Sequence, residues 1–241
     1  MTHVSNRINE RGFTLVELGI SIVVIGVLLG GILKGRELIE NSKINTAVRQ
    51  FRAYDASANV FRDTYGALPG DITDPGDRLH KCVAALCNIG GNGNGYVSNQ
   101  TLGDALHERN NFFPHLTKAG LINGPEGGTQ SQLDAGRNEL FLEALPFSSS
   151  LAGTDPYIHV FYSTPIETAW GAGIMPWPAT HVYAIRITGR QAEMLDSKMD
   201  DGKPLTGEMR EMSGCFTSGG AAAIYDLKDS SGCGVHIKAG F

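Results

Sequence analysis

The sequence predicts an α+β protein: one long N-terminal helix, apolar in its first half, packed on a small antiparallel β-sheet domain with long loops. Three observations predict it. Residues 13–33 form an apolar run of 21 residues with a single charge, Glu17. No proline occurs before Pro69, and apolar residues from Ile44 onward recur at helical spacing. The remainder, roughly 175 residues, suits one globular domain, and a chain with 31 glycines predicts that this domain is loop-rich.

The apolar run comes first because it constrains everything after it. At about 1.5 Å per residue, a helix of that length spans roughly 30 Å, the hydrocarbon thickness of a bilayer. A carboxylate inside such a span is costly, so Glu17 needs a use. The stretch Arg11-Gly12-Phe13-Thr14-Leu15-Val16-Glu17-Leu18 supplies one. It resembles the processing site of type IV prepilins and type II secretion pseudopilins. The resemblance implies cleavage after Gly12 by a prepilin peptidase, N-methylation of the new terminus Phe13, and an assembly role for Glu17. It also implies a pilin-like fold. The partners implied are other pilin subunits in a helical homo- or hetero-polymer, the inner-membrane assembly machinery and the membrane itself.

The physics agrees. Cleavage leaves an ammonium on Phe13 in an apolar setting, and a buried charge wants a partner. Glu17 of a neighbouring subunit pairs with it only when the two helices are correctly staggered. The bland alternative is an ordinary signal anchor in which Glu17 snorkels or protonates.

The expected organisation follows: a leader at 1–12, a membrane-spanning half of the helix at 13–33, an amphipathic half at 34–65, and a globular domain at 66–241. Arg7 and Arg11 in the leader favour a cytoplasmic N-terminus. The domain then faces the periplasm, and later the surface of a fibre. The formal net charge of −5 gives no general attraction to nucleic acid.

In the amphipathic half, Ile44, Val48, Phe51, Ala58 and Phe61 form one apolar stripe. Gly26, Gly30, Gly31 and Gly35 each weaken a helix by about 1 kcal/mol relative to alanine; they serve close helix packing or local melting, or are simply tolerated. Gly66 and Pro69 end the helix near Tyr65. The phrases Tyr65-Gly66-Ala67-Leu68-Pro69-Gly70-Asp71 and Lys198-Met199-Asp200-Asp201-Gly202-Lys203-Pro204 again resemble a bacterial subgroup of prepilin-like proteins.

Residues 71–100 read as a long loop. Asn92-Gly93-Asn94-Gly95 resembles part of a calcium loop but lacks the carboxylates of one, and the competing reading is a turn cluster that uses Asn and Gly for left-handed backbone. Asp71, Asp74 and Asp77 are the nearby acids. Residues 101–119 read as mostly helical, started by Thr101 with Asp104, interrupted by Pro114 and capped by Gly120. Leu102, Leu106, Phe112, Phe113 and Leu116 are its expected core. Residues 124–136 read as loop, 138–145 as a short helix or strand, 158–163 as a strand, and the segment with Trp170, Pro176, Trp177 and Pro178 as irregular. Alternation of Tyr183, Ile185 and Ile187 makes 181–188 the best strand. A short helix follows at 189–199 with Ala192, Leu195 and Met199 on one face, and 223–227 is expected as the last strand.

Asp196, Asp200 and Asp201 are weak calcium candidates; the alternative is a solvated helix end terminated by Gly202. No other cofactor is expected. Four cysteines, Cys82, Cys87, Cys215 and Cys233, allow three pairings. An exported domain favours disulfides over zinc, and the local pairing, Cys82–Cys87 with Cys215–Cys233, needs least chain organisation. None of the seven histidines pairs with another at metal spacing, and no nucleophile elbow or phosphate loop appears, so no enzyme is expected. The expectation is a structural subunit of a type IV pilus-like fibre. The alternatives are a type II secretion pseudopilin, major or minor, and a membrane-tethered binding domain that never polymerises.

Overall fold

Helix α1 runs over Leu15–Tyr65 in the computed structural model, which describes residues 14–80, 82, 85–98, 101–102, 106–124, 143–144, 157–163, 180–211, 215–217, 223–228 and 232–241. The chain divides into two compact units, Met1–Ser42 and Lys43–Phe241. In the first, every large apolar side chain described between Leu15 and Leu33 lies open. The ion pair of Lys34 with Glu37, at 2.8 Å, follows directly after that stretch.

In the second unit α1 buries Ile44, Ala47, Val48, Phe51, Tyr54, Ala58 and Phe61. These recur every three or four residues, as one face of a helix must. The expected stripe is therefore present, widened by Ala47 and Tyr54. Gly66, with φ of +68°, ends the helix as anticipated, its N–H donating to the Arg62 carbonyl at 2.8 Å.

Opposite this face lies an antiparallel five-stranded sheet. Its strands are β3 (Glu143–Ala144), β4 (Tyr157–Ser163), β5 (Thr180–Ile187), β6 (Met209–Glu211) and β7 (Cys233–Lys238), in the order β3-β4-β5-β7-β6. The register sets Tyr183 against Ile237 and Ile185 against Val235. All four side chains are buried. The Tyr183 ring lies 5.3 Å from that of Phe51, and its hydroxyl donates to Asp55 Oδ1 at 2.8 Å. Burial raises the Tyr183 pKa well above its ordinary value and also raises that of Asp55, so this bond joins groups that both resist further charging.

Strand β7 is a correction. The last strand was expected at 223–227, where the structure has only an isolated bridge between Phe216 and Tyr225. The sequence pattern assigns no element to 233–238. Cys233, Val235 and Ile237 nonetheless line the core face of a strand inserted between β5 and β6.

A second correction concerns 101–119. Thr101–Leu102 (β1) and Leu106–His107 (β2) form a small two-stranded ladder, and helix α3 starts only at Glu108, running to Lys118. Pro114 sits inside that helix rather than interrupting it. An interior proline costs about 3 kcal/mol or more. Burial of Phe112, Phe113 and Leu116 around it offsets that cost. Gly120 does close the helix: its N–H donates to Thr117, and that of Leu121 to Leu116, a Schellman pair.

The 71–100 stretch holds two short helical pieces, α2 (Pro75–Arg78) and a 3-10 turn at Ala85–Asn88. Helix α4 covers Gly189–Met199. Thr188 and Gln191 cap its start reciprocally, Gln191 N–H donating to the Thr188 hydroxyl and Thr188 N–H to Gln191 Oε1. The expected loop at 124–136 and the irregular segment holding Trp170, Pro176, Trp177 and Pro178 lie outside the described residues beyond Gly124, as do Asp104 and most of 138–145.

Candidate functional site

The first turn of α1 carries a reciprocal hydrogen-bond set. Thr14 N–H and the Thr14 hydroxyl both donate to Glu17 Oε2 at 3.0 Å, and Glu17 N–H donates to Thr14 Oγ1 at 3.2 Å. This is a capping box: threonine and glutamate three apart satisfy backbone donors that a helix start leaves orphaned. Among the described residues nothing donates to Glu17 Oε1. The same carboxylate that closes its own helix therefore keeps one oxygen open. Gly12 and Phe13 lie outside the described residues.

Around the helix beyond Glu17, a Cβ added at Gly19, Gly26, Gly30, Gly31 or Gly35 would meet nothing within 4 Å. Two pairs, Gly26 with Gly30 and Gly31 with Gly35, have the four-residue spacing that lets apolar helices approach closely. The helix is long and apolar enough to cross a membrane.

An exposed apolar helix with a carboxylate one turn in, followed by an α+β domain, defines a pilin-like architecture. Residues 7–33 match the prokaryotic N-terminal methylation motif, the prepilin-type cleavage and methylation segment of type IV pilins and pseudopilins. The motif supports a type IV pilin-like or pseudopilin precursor. No curated protein and no solved structure matches the chain.

The cysteines are all bonded: Cys82 with Cys87 and Cys215 with Cys233, at Cα separations of 5.4 and 5.5 Å. In the chain-entropy picture a longer loop stabilises more, giving about 2 kcal/mol for the first and about 3 for the second. Replacing Cys215 and Cys233 by serine should therefore lower the urea midpoint more than the same change at Cys82 and Cys87. A larger loss at the shorter loop would show that native packing, not loop closure, sets the order. His115 braces the shorter loop. Its Nδ1 accepts from Gly70 N–H at 2.9 Å, and its Nε2 lies 3.0 Å from the Cys87 carbonyl. These contacts fix a neutral ring with the proton on Nε2.

The acidic trio sits at the end of α4. Oxygens of Asp196, Asp200 and Asp201 lie within 4.8 Å of one another. Each is already supplied with donors. Asp196 accepts from the Tyr225 hydroxyl at 2.8 Å and Gly202 N–H at 3.2 Å. Asp200 accepts from Glu208 and Met209 N–H, and Asp201 from Lys203 N–H and the Thr206 hydroxyl. Asp196 is also fully buried, which corrects the expectation of a wholly solvated helix end. Burial pushes its pKa up to about 6 against the pull of its two donors. Three carboxylates this close could hold a calcium ion.

Asn92 and Asn94 face their own loop. Asn92 Oδ1 accepts from Asn94 N–H, and Asn94 Oδ1 from Tyr96 N–H, the side-chain turns typical of asparagine. The centre they wrap was not anticipated. Asp71 and Glu108, both buried, accept backbone N–H bonds from Asn92, Asn94, Gly95 and Ser98. Among the described residues their partners are N–H groups rather than cations, and they form a scaffold for the loop.

Proposed function

We propose that the chain is a structural subunit of a type IV pilus-like fibre, cleaved after Gly12, methylated at Phe13, and anchored in the inner membrane by α1 with its N-terminus cytoplasmic until assembly. The observation that carries this reading is the capping box that leaves one Glu17 oxygen open at the start of an unburied apolar helix. In a bilayer the helix is solvated by lipid; in a fibre the same surface is covered by neighbouring helices, and the free oxygen receives their Phe13 ammonium. The capping box, the glycines and the apolar face all bear on packing and none on bond-making, which supports a role without catalysis.

Mass spectrometry of sheared fibres tests it. The chain should begin at a singly methylated Phe13. An intact Met1 terminus in assembled material would reject the processing step. Processed chain confined to the membrane would favour a tethered domain that does not polymerise. The presence of pilus or secretion machinery genes beside this one separates pilin from pseudopilin.

A further inference from the structure

The loop that wraps Asp71 carries a chemical liability and a protection against it. The chain has three Asn–Gly sequences, at Asn92, Asn94 and Asn123. In such a pair the glycine nitrogen attacks the asparagine Cγ. The bond from Cγ to the side-chain nitrogen breaks, ammonia leaves with the backbone proton, and water opens the resulting succinimide to aspartate or isoaspartate. Glycine favours this reaction because no Cβ shields its nitrogen. The fold nevertheless requires glycine at two of the three places: Gly93 and Gly95 have φ of +71° and +83°, where other residues are strained.

Exposure does not distinguish the three junctions, because Asn92, Asn94 and Asn123 are all exposed. What differs is the attacking nitrogen. Gly93 N–H donates to the Asp71 carbonyl at 3.1 Å, and Gly95 N–H donates to Asp71 Oδ2 at 2.8 Å. Asn94 N–H donates to Asp71 Oδ1 at 3.1 Å, which holds the same turn from the other side. Among the described residues nothing accepts from Gly124 N–H. An N–H held by a carbonyl or a carboxylate must break that bond and lose its proton before it can attack, and both steps require the loop to open.

We propose that Asp71 protects the loop chemically: by holding the Gly93 and Gly95 nitrogens it keeps Asn92 and Asn94 from cyclising, and it leaves Asn123 as the junction at which the folded chain deamidates. The side chain guards Asn94, and the main-chain carbonyl guards Asn92. The two are therefore separable by mutation.

The test is peptide mapping of the full-length chain in detergent micelles, incubated in warm, mildly alkaline buffer and scored for aspartate and isoaspartate at each site. In the folded protein Asn94 should convert roughly tenfold or more slowly than Asn123, the factor expected for breaking one charge-assisted hydrogen bond, and Asn92 about threefold or more slowly, the factor for a neutral one. In urea the three rates should converge. Asp71→Ala should accelerate Asn94 most, with Asn92 lagging behind it. Equal rates at the three sites in the folded wild type would overturn the proposal, and this comparison stands even if Asp71→Ala fails to fold. A folded Asp71→Ala protein with Asn94 still at its wild-type rate would overturn it as well.

Discussion

Glu17→Gln should insert and be cleaved normally after Gly12, yet be strongly depleted from fibres. The substitution keeps the shape and one acceptor, so the Thr14 cap can still form. It removes the charge. An isolated carboxylate is unfavourable in hydrocarbon, and so is the ammonium that the proposed cleavage would create on Phe13. Within one chain the two residues are only four positions apart in sequence, and the carboxylate is turned back onto Thr14. A neighbouring helix, shifted along the axis, can bring its own ammonium to the open oxygen. Pairing of this kind rewards one stagger, as buried polar groups do in some helical assemblies. Processed protein is measured separately in membranes and in sheared fibres. Wild-type incorporation of the variant would show that charge pairing does not drive assembly.

Acid should unfold the domain in a window set by its histidines. Burial lowers the pKa of His115, His181 and His236 to about 4, with the Arg62 charge adding to the effect at His181. The unfolded chain takes up these protons near the ordinary value of about 6.5. Stability from the three neutral rings is therefore complete above pH 6.5 and is lost progressively as the pH falls toward 4, by roughly 3 kcal/mol per ring at most. Asp196 acts with the opposite sign. Its raised pKa means that stability is gained as the pH falls through about 6 toward the unfolded value of 3.8. Burial raises the pKa of Asp55 and Asp71 in the same direction, so these two carboxylates also oppose the histidines, whose three shifts are expected to prevail. The urea midpoint should fall between pH 7 and pH 4.5, and His115→Gln should flatten that dependence while lowering the midpoint at pH 7. A midpoint that rises on acidification would mean that the carboxylates dominate.

The contrast between these two results shows what the sequence could convey. The features behind the first are local. A 21-residue apolar run, a carboxylate one turn in, and a helical stripe from Ile44 to Phe61 can all be read within a few turns of chain. Helix α4 was equally legible because its pattern and its cap lie within a dozen residues. What escaped depends on distant partners. Asp196 looks solvated until Tyr225, 29 residues away, donates to it. Asp71 and Glu108 become a loop scaffold only when α3 folds back over the glycine segment. Strand β7 was missed because Gly234 and His236 dilute a short alternation beside a cysteine, and only the sheet shows that Val235 and Ile237 face inward. Pro114 misled for a related reason: local propensity disfavours it in a helix, and tertiary burial overrides that propensity.

The place of β7 in the sheet fixes when the domain can fold. Among the described strands β7 comes last in sequence, yet it lies between β5 and β6 and closes the ladder on both sides. The residues just after it, Ala239–Phe241, return to α1, where Gly240 N–H donates to Asp55 and Asn59 donates to the Gly240 carbonyl. Contacts spanning 185 residues cannot form vectorially. Until residues 233–238 are in place, β5 and β6 have no strand between them and the core is incomplete. The sheet can therefore close only after residues 233–238 have been made, and β5 must wait for a strand that lies far beyond it in the chain.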